Sequence, residues 1–541
     1  MEILIVGVFA LVAIAIATAV SPRVGVAAPL ILVALGFGAS LLPGVPTVEI
    51  DPEVILAGVL PPLLFAAGAS IPATDFRREF RSISGLSILL TILSTLVLGA
   101  FFHWVIDDLS WAWSFALGAI VSPSDPVATS IIKRLGVSPR MVSLLEGESL
   151  LNDACALVLL RGAVAAAAAA VTVWDIALEF ILAMTVAVII GIVIGRVNLW
   201  VSSRIKDTTA NTVFTLAVPF IASVPAEMVG ASGLVAAVVC GLVTGNGAAK
   251  ALSPQVRLSD QQTWHAIELI LEGVVYLIVG LEIVGVVREV EAEHEGLAFA
   301  GIIALVTIVL VLVLRAAFIA PLLAAQAARA RRAERLRPHL DGIRTRLADP
   351  DTHTEAIRQV GRAAGGITGR RIARGDVPHE HVDRHLTRAQ ADASYLMRAP
   401  LGRREGAVMV WAGMRGVVTV AAAQTLPTDT PDRALLVLIA YLVAVGSLVI
   451  QGGTVRWVVE WLKPSRGANA DEAAREQDEL DAHLAQAVAD AGGSAALGSR
   501  IAVIEVERAA LIDARHLGIF SSALLSDTLN RLDTEQIRLE L

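Results

Sequence analysis

The stretch ALGAIVSPSDPVATSII, residues 116–132, places two prolines and an aspartate in the middle of an otherwise apolar run. Pro123 and Pro126 each lack a backbone donor and disfavour helix in the residue before them, so a helix entering this run breaks around Asp125. Inside a membrane-length run the break reads as a discontinuous span. Its freed carbonyls and half-helix ends lie near the midplane, where transporters coordinate a dehydrated cation. The plainer reading is a loop joining two shorter spans. A second stretch, LLEGESLLNDACALVLL at 144–160, carries Glu148, Ser149, Asn152 and Asp153. Ser149, Asn152 and Asp153 are spaced three and four apart, so they share one helix face that can line a cavity opposite the broken run. The alternative here is a helix-start capping segment, ESLLND, at the membrane interface. An ionisable group at membrane depth costs about 2.5 to 3.5 kcal/mol on insertion scales, which makes each one a candidate for function. A carboxylate in that position can hold either a proton or a hard cation. Because the site is filled by one or the other, the two fluxes are coupled, and that is the chemical requirement of an antiporter.

The rest of the chain supports a membrane setting. Of its 541 residues, 55% are hydrophobic and 17% charged, and the mean hydropathy is +0.69, whereas soluble domains carry about 25% charge. Apolar runs near 20 residues fall at 2–20, 25–43, 53–71, 84–104, 110–132, 144–169, 174–197, 209–225, 230–248, 264–287, 297–325, 404–426 and 433–462. These are continuous rather than alternating, so the expected fold class is an all-α polytopic membrane protein of about 13 transmembrane helices. The first run, MEILIV onward, lacks a basic leader and reads as a retained helix. Cys155 and Cys240 both lie inside apolar runs, so no disulfide framework is expected.

With the N-terminus outside, the cytoplasmic loops hold Arg23, Arg77, Arg78, Arg81, Lys133, Arg134, Arg140, Arg204, Lys206, Lys250 and Arg257, and the opposite loops hold Arg288 and Arg433. That bias puts the C-terminus in the cytoplasm of a cell whose inner (plasma) membrane holds the protein. The expected organisation is a membrane domain at 1–325 and 404–463, a cytoplasmic helical insertion at 326–403 and a cytoplasmic helical tail at 464–541.

Two arginines lie inside apolar runs, Arg315 in IVLVLVLRAAFIAPLL and Arg415 between glycines in VWAGMRGVVTV. A guanidinium stays protonated, so each needs a carboxylate or a set of carbonyls within the bundle. Glu148 is the unclaimed carboxylate for Arg315. The glycines around Arg415 suggest a second unwound helix, with the arginine's charge replacing a helix end or supporting the crossing. Arg161, two turns beyond Asp153, is expected to snorkel toward the interface.

SPSDPVATS, LLEGESLLNDA, an intramembrane arginine and a late GMRG together resemble the monovalent cation/proton antiporter family, which includes bacterial NhaP proteins and animal Na+/H+ exchangers. The resemblance covers about residues 1–463. It implies an inverted-repeat fold with broken helices crossing near the midplane, a homodimer, and an elevator-like movement of a core bundle. Carried over, it makes Asp153 the ion and proton carboxylate, with Asn152 beside it. Asp125, Ser149 and the carbonyl of Ser124 complete the site, and Glu148 pairs with Arg315. An Asn-Asp pair in place of two adjacent aspartates implies electroneutral one-for-one exchange. Na+ is the expected cation, Li+ and K+ are alternatives, H+ is the counter-ion, and neither a cofactor nor nucleic acid is expected. Ser124 stands where many relatives have threonine, and Ala66 and Ala67 stand where some carry an acidic gate.

The insertion begins AARARRAERLR and contains His379, His381 and His385. Positions 381 and 385 share a helix face, which leaves open a metal site, a pH sensor or a solvated helix with incidental histidines. Segments such as VIEVERAALIDARHLGIF in the tail read as amphipathic helices of a regulatory or assembly module. Beside Na+/H+ exchange stand two alternatives: K+/H+ exchange on the same fold, and a channel or membrane sensor. The channel ranks low because its path needs no proton-binding carboxylate. No phosphate loop of the GxxxxGK type is present, which argues against a primary pump.

Overall fold

The computed structural model describes residues 2–42, 51–168, 173–292, 296–348, 379–398, 401–465 and 470–540, and among them every regular element is helical. Two compact units emerge. One comprises Met1–Ile319 with Arg404–Pro464, and the other Ala320–Arg403 with Ser465–Leu541.

Nine helices of the described residues are long and apolar enough to cross a membrane, with shorter apolar helices at Ala28–Ser40, Val54–Ser70 and Trp111–Ile120. Leu178, Ile181, Leu182, Ile189 and Val193 of α9 (Val173–Ser202) are all exposed. Such a stripe suits lipid rather than water. One group of helices comprises α1 (Glu2–Val24), α2 (Ala28–Ser40), α3 (Leu60–Ser70), α9, α10 (Thr208–Met228), α11 (Gly233–Ala251) and α12 (Pro254–Ala292). Small residues hold it together. A Cβ on Gly36 would fall 2.3 Å from the Leu277 carbonyl, and one on Gly280 would fall 2.3 Å from the Val33 carbonyl, so α2 and α12 touch backbone to backbone.

The other group gathers around the two broken runs. It contains α4 (Ala73–Ser84), α5 (Leu90–Val105), α6 (Trp111–Ile120), α7 (Val127–Arg134) and α8 (Pro139–Ala168). The run at 110–132 is therefore two half-helices, and residues 121–126 between them are not helical. The run at 404–426 divides in the same way. Following α13 (Leu297–Ala348) and α14 (His379–Arg398), α15 (Arg403–Trp411) stops before GMRG, and α16 (Val417–Gln424) resumes after it. α17 (Arg433–Ser447) and α18 (Gly453–Leu462) complete the bundle, joined by a π-helical turn at Leu448–Gly452. A buried ion pair, Arg140 Nε to Glu79 Oε1 at 2.6 Å, ties α8 to α4.

The helix of the eleventh run does not stop at 325, because α13 continues to Ala348. AARARRAERLR is rich in strong helix formers, so the backbone keeps its helix where the polarity changes. In the second unit α19 (Ala470–Asp490) packs on α21 (Arg500–Leu517), which packs on α22 (Ser522–Glu540), with the short α20 (Gly493–Leu497) between the first two. Leu480, Ile504, Leu511 and Leu525 are buried there. Ser499 caps α21 by accepting from the Ala502 N–H at 3.2 Å, and the left-handed Gly518 ends it. His379, His381 and His385 lie on or at the start of α14, but their side chains lie outside the described residues.

Candidate functional site

The two broken runs meet through their exposed backbone ends. A helix C-terminus presents unsatisfied carbonyls and an N-terminus unsatisfied N–H groups, so each crossing half-helix calls for charge of the matching sign. Arg415 supplies the positive charge. Its side chain donates from Nε to the Val121 carbonyl at 2.9 Å, from Nη2 to the Ser122 carbonyl at 3.0 Å, and from Nη1 to the Gly413 carbonyl. It thus satisfies carbonyls that follow α6 and α15. Its own backbone N–H donates to Ser447 Oγ at 2.8 Å.

Asp125 supplies the negative charge. Its Oδ1 accepts from the Val127 N–H at 2.8 Å, at the start of α7, and its backbone N–H donates to the Met414 carbonyl at 2.7 Å. A backbone hydrogen bond from Val417 brings in the start of α16 as well. Oδ2 accepts from the Tyr276 hydroxyl at 2.5 Å. A side chain at Gly416 is impossible as the site stands, since a Cβ there would lie 1.4 Å from Asp125 Oδ2.

On α8, Glu148, Ser149, Asn152 and Asp153 are all buried. Arg315 on α13 forks onto Glu148, with Nη2 to Oε2 at 2.8 Å and Nη1 to Oε1, while its Nε donates to the Met409 carbonyl at 2.8 Å. All three guanidinium nitrogens of Arg315 are therefore engaged, two of them on the carboxylate. Ser124 joins the two stretches: its Oγ donates to Glu148 Oε1 at 3.3 Å and accepts from Asn152 Nδ2 at 2.6 Å. Ser149 Oγ turns along its own helix and donates to the Glu146 carbonyl at 3.2 Å. Asp153 differs from all of these. It is 7% exposed, its charged neighbour is Asp125, and no donor among the described residues hydrogen-bonds to it. Asn152 Oδ1, also buried, has no partner among the described residues. Two sets of oxygens are thus left uncommitted beside a site whose other polar atoms are engaged. Hard monovalent cations bind such oxygens.

The structure brings Asp125, Ser124, Asn152, Asp153, Glu148, Arg315 and Arg415 into one buried locality. Arg161 sits away from it, exposed and 3.2 Å from Glu227. Sequence reasoning passed over Tyr276 and the carboxylates on its helix, Glu268, Glu272 and Glu282. Their signal was present as ionisable groups within the run 264–287, with Glu268, Glu272 and Tyr276 at four-residue spacing on one face. Glu282 accepts from Gln424 Nε2 at 2.7 Å, so α12 touches the second broken run as well as the first. Among the described residues no cluster of His, Cys, Asp and Glu resembles a bound metal centre.

Paired broken helices, a buried carboxylate without donors and exposed apolar helices of membrane-crossing length mark a multi-pass membrane protein with a polar crossing inside it. Comparison with known proteins gives the family: residues 8–336 and 386–461 match the transmembrane domain of the sodium/hydrogen exchangers, and the chain belongs to that family. It is 35% identical over 254 residues to an uncharacterized Na+/H+ exchanger, YjcE, of Escherichia coli, an alignment that spans 44% of this chain and 46% of that one. An uncharacterized Na+/H+ exchanger of Mycobacterium tuberculosis is 26% identical over 481 residues, covering 87% and 76%. A Bacillus subtilis protein named a sodium, potassium, lithium and rubidium/H+ antiporter is 30% identical over 295 residues, covering 52% and 44%. The fold matches that of the sodium proton antiporter MjNhaP1 of Methanocaldococcus jannaschii at pH 8, with a TM-score of 0.55 at 13% identity over 85% of this chain and 99% of that one.

Proposed function

We propose that this protein exchanges Na+ for H+, one for one, with cation and proton competing for Asp153. The observation that carries the reading is the contrast at the crossing, where Asp125 is supplied with donors and Asp153 with none. One carboxylate is then free to trade its occupant. With the neutral Asn152 beside it, each cycle moves one positive charge in either direction, which makes the exchange electroneutral. Asp125, Asn152 Oδ1 and the carbonyl of Ser124 are further ligands of the cation, with Ser149 on the same face. Glu148 and Arg315 hold the bundle, and Arg415 neutralises the half-helix ends.

Alternating access is an elevator-like movement of the ion-binding bundle against the α1–α3 and α9–α12 group, in a homodimer in the inner membrane with the N-terminus outside and the C-terminus cytoplasmic. The basic loops support that orientation. The test is a pH-sensitive dye in proteoliposomes carrying the purified protein, challenged separately with Na+, Li+ and K+. Dequenching by Na+, lost in Asp153→Asn, is the expected result. Dequenching by K+ alone would reassign the cation, and normal dequenching in Asp153→Asn would reject the site.

A further inference from the structure

Tyr276 lies on α12, in the helix group that also holds α1–α3, whereas Asp125 lies between α6 and α7 of the ion-binding bundle. The bond between them, at 2.5 Å, joins residues 151 positions apart. The two oxygens of Asp125 thus answer to different bodies. Oδ1 accepts from Val127 of its own bundle, and Oδ2 accepts from Tyr276 across the boundary. The phenol is 3% exposed, and Gly416 closes on Oδ2 from the bundle side, so little room is left for another partner at that oxygen. One turn earlier on α12, Glu272 lies within electrostatic reach of Asp125, so the same face of α12 turns a second ionisable group toward the site.

Any sliding of the bundle past α12 has to break the Tyr276 bond, because one partner travels and the other stays. A cation that draws on Asp125 Oδ2 meets the same bond from the other side, since a hard cation and a phenol hydrogen compete for one electron-rich oxygen. We infer that Tyr276 is a positioning residue that fastens Asp125 to α12 in this orientation, and that cation loading competes with it and so frees the bundle to move. This rests on the exchange reading above.

Tyr276→Phe keeps the ring and removes the hydroxyl. The apparent KM for Na+ in proteoliposomes is expected to fall three- to tenfold, a larger change than that in maximal rate. In detergent at constant ionic strength, replacing choline by Na+ is expected to raise the melting temperature of Tyr276→Phe more than that of the wild type. A wild-type KM together with an equal Na+-induced shift would overturn the inference, as would a raised KM. If the wild type itself shows no cation-driven proton movement, the exchange reading fails instead, and the two failures are thereby told apart.

Discussion

Two carboxylates five positions apart on α8 are buried to similar depth and treated in opposite ways. Glu148 is held by both terminal nitrogens of Arg315 and by the hydroxyl of Ser124. Asp153 has Asp125 for a neighbour and no donor among the described residues. The first arrangement pairs opposite charges in a forked geometry, as a structural tie needs. The second leaves a charge that something mobile must neutralise, and the candidates are a proton and a cation. Burial alone therefore does not separate structure from function here; the presence of a compensating partner does.

The largest expected effect follows from the uncompensated member. Asp153→Asn should reduce Na+-driven proton movement in proteoliposomes to the level of empty vesicles, while the detergent-solubilised protein melts no lower than wild type, because an unpaired buried charge has been removed. Retained exchange would erase the distinction between the two carboxylates.

The compensated pair should behave in reverse. Removing one partner of a buried ion pair costs about 3 to 5 kcal/mol, because the other charge is left stranded. Glu148→Ala and Arg315→Ala should each lower the melting temperature clearly more than Asp153→Asn does. The opposite ranking would mean that Arg315 is not the tie its geometry suggests.

A subtler outcome concerns pH. If proton and Na+ compete for Asp153, the rate should be bell-shaped in pH, with an acidic limb that moves to lower pH as Na+ is raised. Initial rates across pH at several Na+ concentrations measure it. Replacing His379, His381 and His385 with Gln should leave that movement in place. A limb that ignores Na+ and vanishes with the histidines would transfer control to the insertion.

The smallest effect lies in the second unit, where an exposed counterpart of the Glu148 pair exists. Arg500 forks onto Glu535 at 2.8 and 3.1 Å and holds its carboxyl below the usual carboxylate range. A depressed pKa stabilises the folded form above the ordinary Glu value, and that gain is lost as pH falls through the lower, folded value. Solvent screening keeps it under about 1 kcal/mol. Arg500→Ala should speed hydrogen exchange in α21 and α22 slightly at pH 7, and the difference from wild type should vanish near pH 3.

Much of the site was legible because its signals are local. Two prolines three residues apart and flanking an aspartate disfavour helix at that point of the chain, and a four-residue spacing puts Ser149 and Asp153 on one face without reference to any other segment. Apolar run lengths likewise gave the all-helical membrane class, since hydrocarbon leaves the backbone no other way to satisfy itself. Even the pairing of Glu148 with Arg315 could be anticipated, because a guanidinium that cannot lose its proton must find a carboxylate and few were available.

What the sequence could not specify was partnership across the crossing. Arg415 reaches Val121 from 294 positions away, and its acceptors are backbone carbonyls, which every residue possesses and no sequence marks. Tyr276 carries no local mark of its role, and only the packing of α12 against the broken span brings its hydroxyl to Asp125. Composition and periodicity fix which groups must be satisfied, while the packing of the half-helices decides by whom. The same packing gives Glu148 the guanidinium of Arg315 and the hydroxyl of Ser124, and leaves Asp153 on the same helix without a donor among the described residues.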